Sequence, residues 1–222
     1  MTGVAISEGK KIPSYGTSEF FTKEDANRVV EKMRADPRHS MRLRDDQSAF
    51  LADGSHIARI PRLPKAPFLL PGSWFKLLAC DWKHDMYVMI LNVPGNVPVD
   101  SHYHIAEAHG YIFTGAPEGA FEYEYGLVFA GEYMAEAPDI EHIAAIGPED
   151  VLQLSIVYGG LAASIPGGGA PDLSTYYGCM EVYNAAKAVG GADHIAPPPE
   201  GWFSPHLRDA QKRFGHVQPA AA

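Results

Sequence analysis

Cysteine is scarce in this chain, with only Cys80 and Cys179 among 222 residues. The two share no metal-binding or redox spacing, which excludes a disulfide framework and fits a reducing, cytoplasmic setting. Basic charge is also in short supply. Lys and Arg number 18 against 27 Asp and Glu, a formal charge of -9, so the electrostatic footprint of a nucleic-acid binder is missing. No apolar run approaches the roughly 20 residues that cross a bilayer, and none follows the first charges as a leader would, so no membrane or targeting segment is expected. No internal repeat is visible.

What the chain has is apolar content, 46% of its residues, enough to bury the core of one domain. We expect a single, mainly β domain in three stretches. In residues 1–70, Thr22 and Asp25 resemble a capping box ahead of Ala26, Val29, Val30 and Met33 at helical spacing, and Asp36-Pro37 ends the run. An extended arm follows, because prolines at 61, 64, 67 and 71 forbid a long helix; segments within Phe50 to Ile60 and Phe68 to Leu70 suit edge strands. Residues 71–160 hold short β-rich runs, WFKLLACDW, MYVMILNV, HGYIFTG, AFEYEYGLVFAGEYMAEAP and VLQLSIVYG, punctuated by Gly, Pro, Asp and Asn as in a small antiparallel barrel or sandwich. Residues 161–222 predict two helices. One is capped by Ser174, with Tyr176, Met180 and Tyr183 on one face and an end at Gly190-Gly191; the other begins at Ser204-Pro205 and ends at Gly215.

The chemistry gathers around Gly95 to Gly115. Side chains two apart on a strand share a face, so His102 and His104 present two imidazoles together. His109 follows a short turn and shares parity with Tyr111 and Phe113, so these three are expected to face one interior. A second cluster runs from Gly131 through Pro138 to His142. Each has an ordinary reading beside the chemical one. A His-x-His pair alone is as often a surface or core pair as a metal site, a turn carboxylate such as Glu107 is more often solvated, and the alternation Phe121, Tyr123 is more often plain strand packing.

The joint arrangement, however, resembles the two motifs of the cupin superfamily, here GNVPVDSHYHIAEAHGYIFTG and GEYMAEAPDIEH. Within the superfamily the similarity is to cupins of the 2,4′-dihydroxyacetophenone dioxygenase and acetylacetone dioxygenase type and to anti-sigma-factor cupins. It extends over roughly Phe68 to Val189. The resemblance implies a metal held by His102, His104 and His142, with Fe(II) expected and Zn, Mn, Ni or Cu as alternatives, since imidazole suits all of them. One departure stands out. Such families often place a glutamate ligand four or five residues after the second histidine, where this chain has Ala108 and His109. His109, on its parity with the aromatic residues, is expected to fill the fourth position ahead of Glu107.

What the resemblance further implies is a dioxygenase that cleaves a carbon–carbon bond of a small aryl ketone or diketone, with Tyr111, Phe113, Phe121 and Tyr123 as pocket walls. The expected partners are that small molecule and dioxygen, with a second copy of the chain in a homodimer. Two other readings keep the fold. One is a metal-dependent lyase or isomerase with Glu107 or Tyr103 as acid/base group; the other is a non-catalytic zinc-binding sensor.

Overall fold

The computed structural model describes residues 58–123 and 126–215, the strand pair Ala49–Phe50 and His56–Ile57, and helical positions Arg28, Glu31 and Ala35. The chain divides into two compact units, Met1–Asp46 and Gln47–Ala222. In the first, Arg28, Glu31 and Ala35 are exposed and helical, while Thr22, Asp25 and the apolar positions Ala26, Val29, Val30 and Met33 lie outside the described residues. All elements named below belong to the second unit.

Among the described residues of this unit, thirteen strands form one pair and two larger antiparallel sheets. The pair is β1 (Ala49–Phe50) with β2 (His56–Ile57). A six-stranded sheet follows the order β10-β7-β12-β5-β4-β3, built from β3 (Ala66–Pro67), β4 (Trp74–Asp81), β5 (Met86–Val93), β7 (Ala108–Thr114), β10 (Tyr133–Glu136) and β12 (Val151–Tyr158). Across from it runs β13-β6-β11-β8-β9, from β6 (Pro98–His104), β8 (Phe121–Tyr123), β9 (Gly126–Val128), β11 (Glu141–Ile146) and β13 (Leu161–Ala163). This is the mainly β, jelly-roll architecture the motifs predict. The outer strands of one sheet do not pair with the other, so the ladder is not a closed barrel.

The central strands are the most β-branched ones. MYVMILNV and VLQLSIVY pair residue for residue from Val151 opposite Val93 to Tyr158 opposite Met86, and β12 alternates strictly between buried and half-buried positions, as a strand with one face on a core should. Phe75, Leu77, Met89, Leu91, Ile112 and Val151 meet between the sheets. Pro67, with no N–H to give, sits on edge strand β3, where its position is exposed.

The C-terminal stretch departs from its prediction in one place. Ser174 lies in a 3-10 turn, Leu173–Thr175, capped by Asp172. The helix α1 starts later, at Cys179–Ala188, where the Gly178 N–H donates to Glu181 Oε2 at 2.9 Å. Its buried stripe is Cys179, Val182, Tyr183 and Ala186, the i, i+3, i+4, i+7 face of a docked helix; Met180 is only half-buried. α2 (Pro205–Phe214) matches its signals: Ser204 accepts from the Leu207 N–H, and Gly215 closes it at φ 81. Trp202 donates to the Trp82 carbonyl at 2.7 Å and Trp82 to that of Ala196 at 2.8 Å, which ties this stretch to the β4–β5 turn. Among the described residues no helix is long and apolar enough to cross a membrane.

Candidate metal centre

His102 and His104 sit at the end of β6, and the register with β11 explains their direction. His142 lies opposite His102, but Ala144 lies opposite Val99, so β6 carries an extra residue around Asp100 and Ser101. A β-bulge of this kind shifts parity and re-aims side chains. It lets Val99 and both histidines face the same interior. The ring centroids of His102 and His104 are 5.2 Å apart, those of His104 and His142 5.7 Å, and those of His102 and His142 6.0 Å.

Glu136, at the end of β10, completes the cluster. Its Oε2 is 3.1 Å from His104 Nε2, and its Oε1 accepts from the Tyr123 hydroxyl at 2.9 Å. Donor atoms of His102, His104 and Glu136 all lie within 4.8 Å of one another. Two ligands about 2.1 Å from one ion at right angles are about 3 Å apart, so the 3.1 Å spacing of this hydrogen-bonded pair would also accommodate a shared ion. His102 Nδ1 donates to the Asp100 carbonyl at 2.9 Å, which fixes the tautomer and frees Nε2. His104 Nδ1 is buried with no hydrogen-bond partner. His142, 4% exposed, turns Nε2 toward the Ala137 carbonyl at 3.3 Å.

Protonation states suit a cation. Burial, then the neighbouring His104, lower the His102 pKa to about 4, so its ring is neutral at pH 7. Burial raises the Glu136 pKa, but the hydrogen bond and charge of His104, together with the Tyr123 hydroxyl, outweigh it and hold the carboxyl at about 2. A carboxylate and a neutral imidazole are the forms in which Glu136 and His102 bind metal.

The same shifts make metal-free protein acid-sensitive. Between pH 6.5 and about 4 the unfolded state binds a proton at His102 that the folded state refuses, so stability present above pH 6.5 is lost as pH falls through that window, by at most about 3 kcal/mol. Glu136 adds to the loss from its ordinary value down toward pH 2. Urea unfolding of metal-stripped protein between pH 7.5 and 4.5 is expected to show the decline, shallower in His102→Gln; equal slopes for the two proteins would contradict it.

Other expected site residues lie elsewhere. On β7 the buried positions are Ala108, Gly110 and Ile112. His109, Tyr111 and Phe113 do share parity, but they take the outer face, where Tyr111 is 41% and Phe113 45% exposed. These two are therefore not walls of the pocket. Although His109 borders the cavity, its ring stacks on the exposed Tyr133 at 5.9 Å between centroids, its Nδ1 takes the Tyr133 hydroxyl at 2.6 Å, and its Nε2 is 3.7 Å from Glu107. His109 is thus turned away from the three histidines, and Glu107 is solvated, its side chain 57% exposed. Tyr103 points opposite to its neighbours, donating to Glu141 at 3.3 Å, so neither acid/base candidate faces the metal cluster. His109, Tyr111 and Phe113 do share one face, as parity implies, but it is the outer face and not the interior expected from the sequence.

Glu136 was the residue that sequence reasoning passed over. Its Cα partner across the ladder is Ala108, four residues after His104. The carboxylate often found at that position therefore stands on the adjacent strand in this chain. The available signal was the β10 alternation, in which Met134 and Glu136 are half-buried while Tyr133 and Ala135 are exposed.

Beside the cluster lies a cavity of about 290 Å3, walled by Met89, Leu91, Val99, Phe121, Tyr123 and Met134 among others. It is largely apolar with a few polar groups, as small-ligand sites are.

Comparison with known proteins agrees with the fold. Residues 55–162 match the family described as ChrR Cupin-like domain. Among solved structures, the acetylacetone dioxygenase of Acinetobacter johnsonii is 19% identical, with a TM-score of 0.52 over 60% of this chain and 92% of that one. A protein of Methylibium petroleiphilum, provisionally assigned as an acetylacetone dioxygenase, is 17% identical with a TM-score of 0.51 over 60% of this chain and 94% of that one. The anti-sigma ChrR of Rhodobacter sphaeroides, in complex with SigE, gives 16% identity and a TM-score of 0.38 over 66% of this chain and 70% of that one. No curated protein matches in sequence. The chain thus has a cupin-like fold, and its family match is confined to residues 55–162.

Proposed function

We propose that this cupin is a metal-dependent dioxygenase that cleaves a carbon–carbon bond of a small ketone able to chelate iron(II) through two oxygens. The observation that carries the reading is the placement of His102, His104 and Glu136 around one point at the edge of an apolar cavity. His142 joins them by a ring rotation that gives up its long bond to the Ala137 carbonyl. A bound iron(II) would serve as Lewis acid, template and electron donor. The protein's own contribution is to hold the ketone against the ligand cluster, to exclude water with the apolar walls, and to keep the Glu136 carboxylate ionised through Tyr123 and His104. For an α-hydroxy ketone the reaction balances with one dioxygen and two carboxylic acids formed from the two carbons of the broken bond.

Two observations favour a second reading, a zinc-binding sensor: the family match to a ChrR Cupin-like domain and the nearness of His142 to the cluster of His102, His104 and Glu136, since a fourth protein donor would close a tetrahedral shell. Oxygen-electrode assays separate the two. Iron-loaded protein is expected to consume dioxygen with an aryl α-hydroxy ketone or a diketone in equal molar amounts and to lose at least about 1000-fold of the rate on His104→Ala. Uptake no faster than the His104→Ala background, with every ketone tried, would leave the sensor reading.

A further inference from the structure

The family match ends at residue 162, yet α2, well beyond it in the chain, reaches the segments that carry the candidate ligands. Its first turn is anchored at the β4–β5 turn, where Ser204 Oγ donates to the buried Asp85 carboxylate and accepts from the Tyr176 hydroxyl at 3.1 Å. Its middle packs Ala210 against Ile105 and Ala162, with Tyr176 and Phe214 alongside. Gly159 allows the close approach. It holds φ 60, and a Cβ there would lie 2.6 Å from His206 Cβ, nearer than packed side chains can stand.

The last turn of α2 reaches further. Arg213 Nη1 donates to Asp139 Oδ2, and Nη2 donates to the Ile105 carbonyl at 3.4 Å. Asp139 in turn donates its N–H to the His104 carbonyl at 3.0 Å. Residues 137–140 connect β10, which ends at Glu136, to β11, whose second residue is His142, and Ile105 directly follows His104 at the end of β6. One guanidinium therefore joins the two segments that between them carry all four candidate ligands. Asp139 holds φ 61, a left-handed conformation that Asp tolerates better than most side chains and that persists where the surroundings impose it. Stability alone does not explain the contact. The pair is partly exposed, 43% at Arg213 and 34% at Asp139, and ion pairs so placed add little to folding. A planar fork that donates to two acceptors at once is suited instead to fixing geometry.

We propose that Arg213 is a positioning residue for the metal centre, clamping residues 137–140 to the end of β6 so that Glu136 and His142 stay within reach of an ion bound by His104. Groups that orient ligands without touching the ion commonly change metal affinity by about 10–100-fold. Such coupling is reciprocal. If docked α2 orders the ligands, an ion on the ligands tightens the docking of α2 by the same factor. The proposal rests on the ligand cluster described above and not on the reaction carried out there.

Zinc affinity by chelator competition and amide hydrogen exchange in α2, both on the full chain, test it. Arg213→Met and Asp139→Asn are each expected to bind zinc at least about tenfold more weakly than the wild type. Asparagine tolerates the left-handed backbone at 139, so only the ion pair is lost. The double variant is expected to be no weaker than either single one, because the pair acts as a unit, while Arg213→Lys, which can still reach Asp139, stays within about threefold of the wild type. Zinc is expected to slow exchange in the last turn of α2 by about tenfold or more in the wild type, but not in Arg213→Met or Asp139→Asn. A role in helix stability alone would lower protection equally with and without zinc, and that result overturns the proposal. So does zinc affinity within about twofold of the wild type in both single variants, or α2 exchange indifferent to zinc in the wild type. No zinc binding by the wild type is a separate failure: it overturns the ligand cluster itself, and the proposal with it.

Discussion

Glu136→Gln is expected to lower iron(II) affinity by about 100-fold or more, because it removes the charged member of the ligand set while nearly preserving its volume. The carboxylate is held ionised inside the domain by His104 and Tyr123, and a neutral amide offers the ion no compensating charge. Fold stability should change far less, since the amide can still accept from Tyr123. The decisive companion is the double variant Glu136→Ala with Ala108→Glu. Ala108 is the cross-strand partner of Glu136 and faces the same interior, so a glutamate there starts about 5 Å from the original Cα and can reach the same ion. Metal retention after dialysis should be low in Glu136→Gln, low in Glu136→Ala and substantially recovered in the double variant. Full retention in Glu136→Gln would show that the carboxylate is no ligand, and the same result in His109→Gln is expected precisely where His109 faces outward.

Phe75→Ala is expected to destabilise the domain by about 3–5 kcal/mol, the cost of emptying a large aromatic site in a core that cannot fully collapse. Phe75 is 0% exposed on β4 and meets Phe68 edge to face, with centroids 5.9 Å apart. It packs between the two sheets that hold the ligands on opposite walls, so its loss loosens both. Since whole domains are stable by only about 5–15 kcal/mol, the variant should unfold at much lower urea. Tyr133→Ala, at 63% exposed, serves as the surface control. Chemical denaturation followed by tryptophan fluorescence checks the pair, and a Phe75→Ala loss below 1 kcal/mol would contradict the assigned core.

Why some of this could be read in the sequence follows from where each signal is local. The α2 boundaries are set by Ser204, Pro205 and Gly215, whose conformational preferences act within one turn. The His102 and His104 pair needs only strand periodicity. Placing His109, Tyr111 and Phe113 needs more, because alternation assigns them to one face and only the packing of β7 between β10 and β12 decides that this face is outside. Glu136 was harder still. Its relation to His104 is created by the packing of one sheet on the other, which local spacing does not encode, and the bulge in β6 that turns Val99 and the histidines the same way is visible only in the ladder with β11. The late start of α1 has a local cause, the Glu181 side chain reaching back to Gly178, but Ser174 offered an equally good cap in sequence and was taken into the preceding turn by Asp172.

The central claim is that one ion is held by histidines from β6 and β11 and a carboxylate from β10. X-ray absorption at the iron K edge of anaerobically loaded protein tests it most directly. The expected spectrum shows imidazole backscattering from three histidines with nearest N/O neighbours at about 2.1 Å, falling to two histidines in His104→Ala if iron is retained at all. A spectrum without imidazole scattering, as for iron held by water and surface carboxylates, would contradict it.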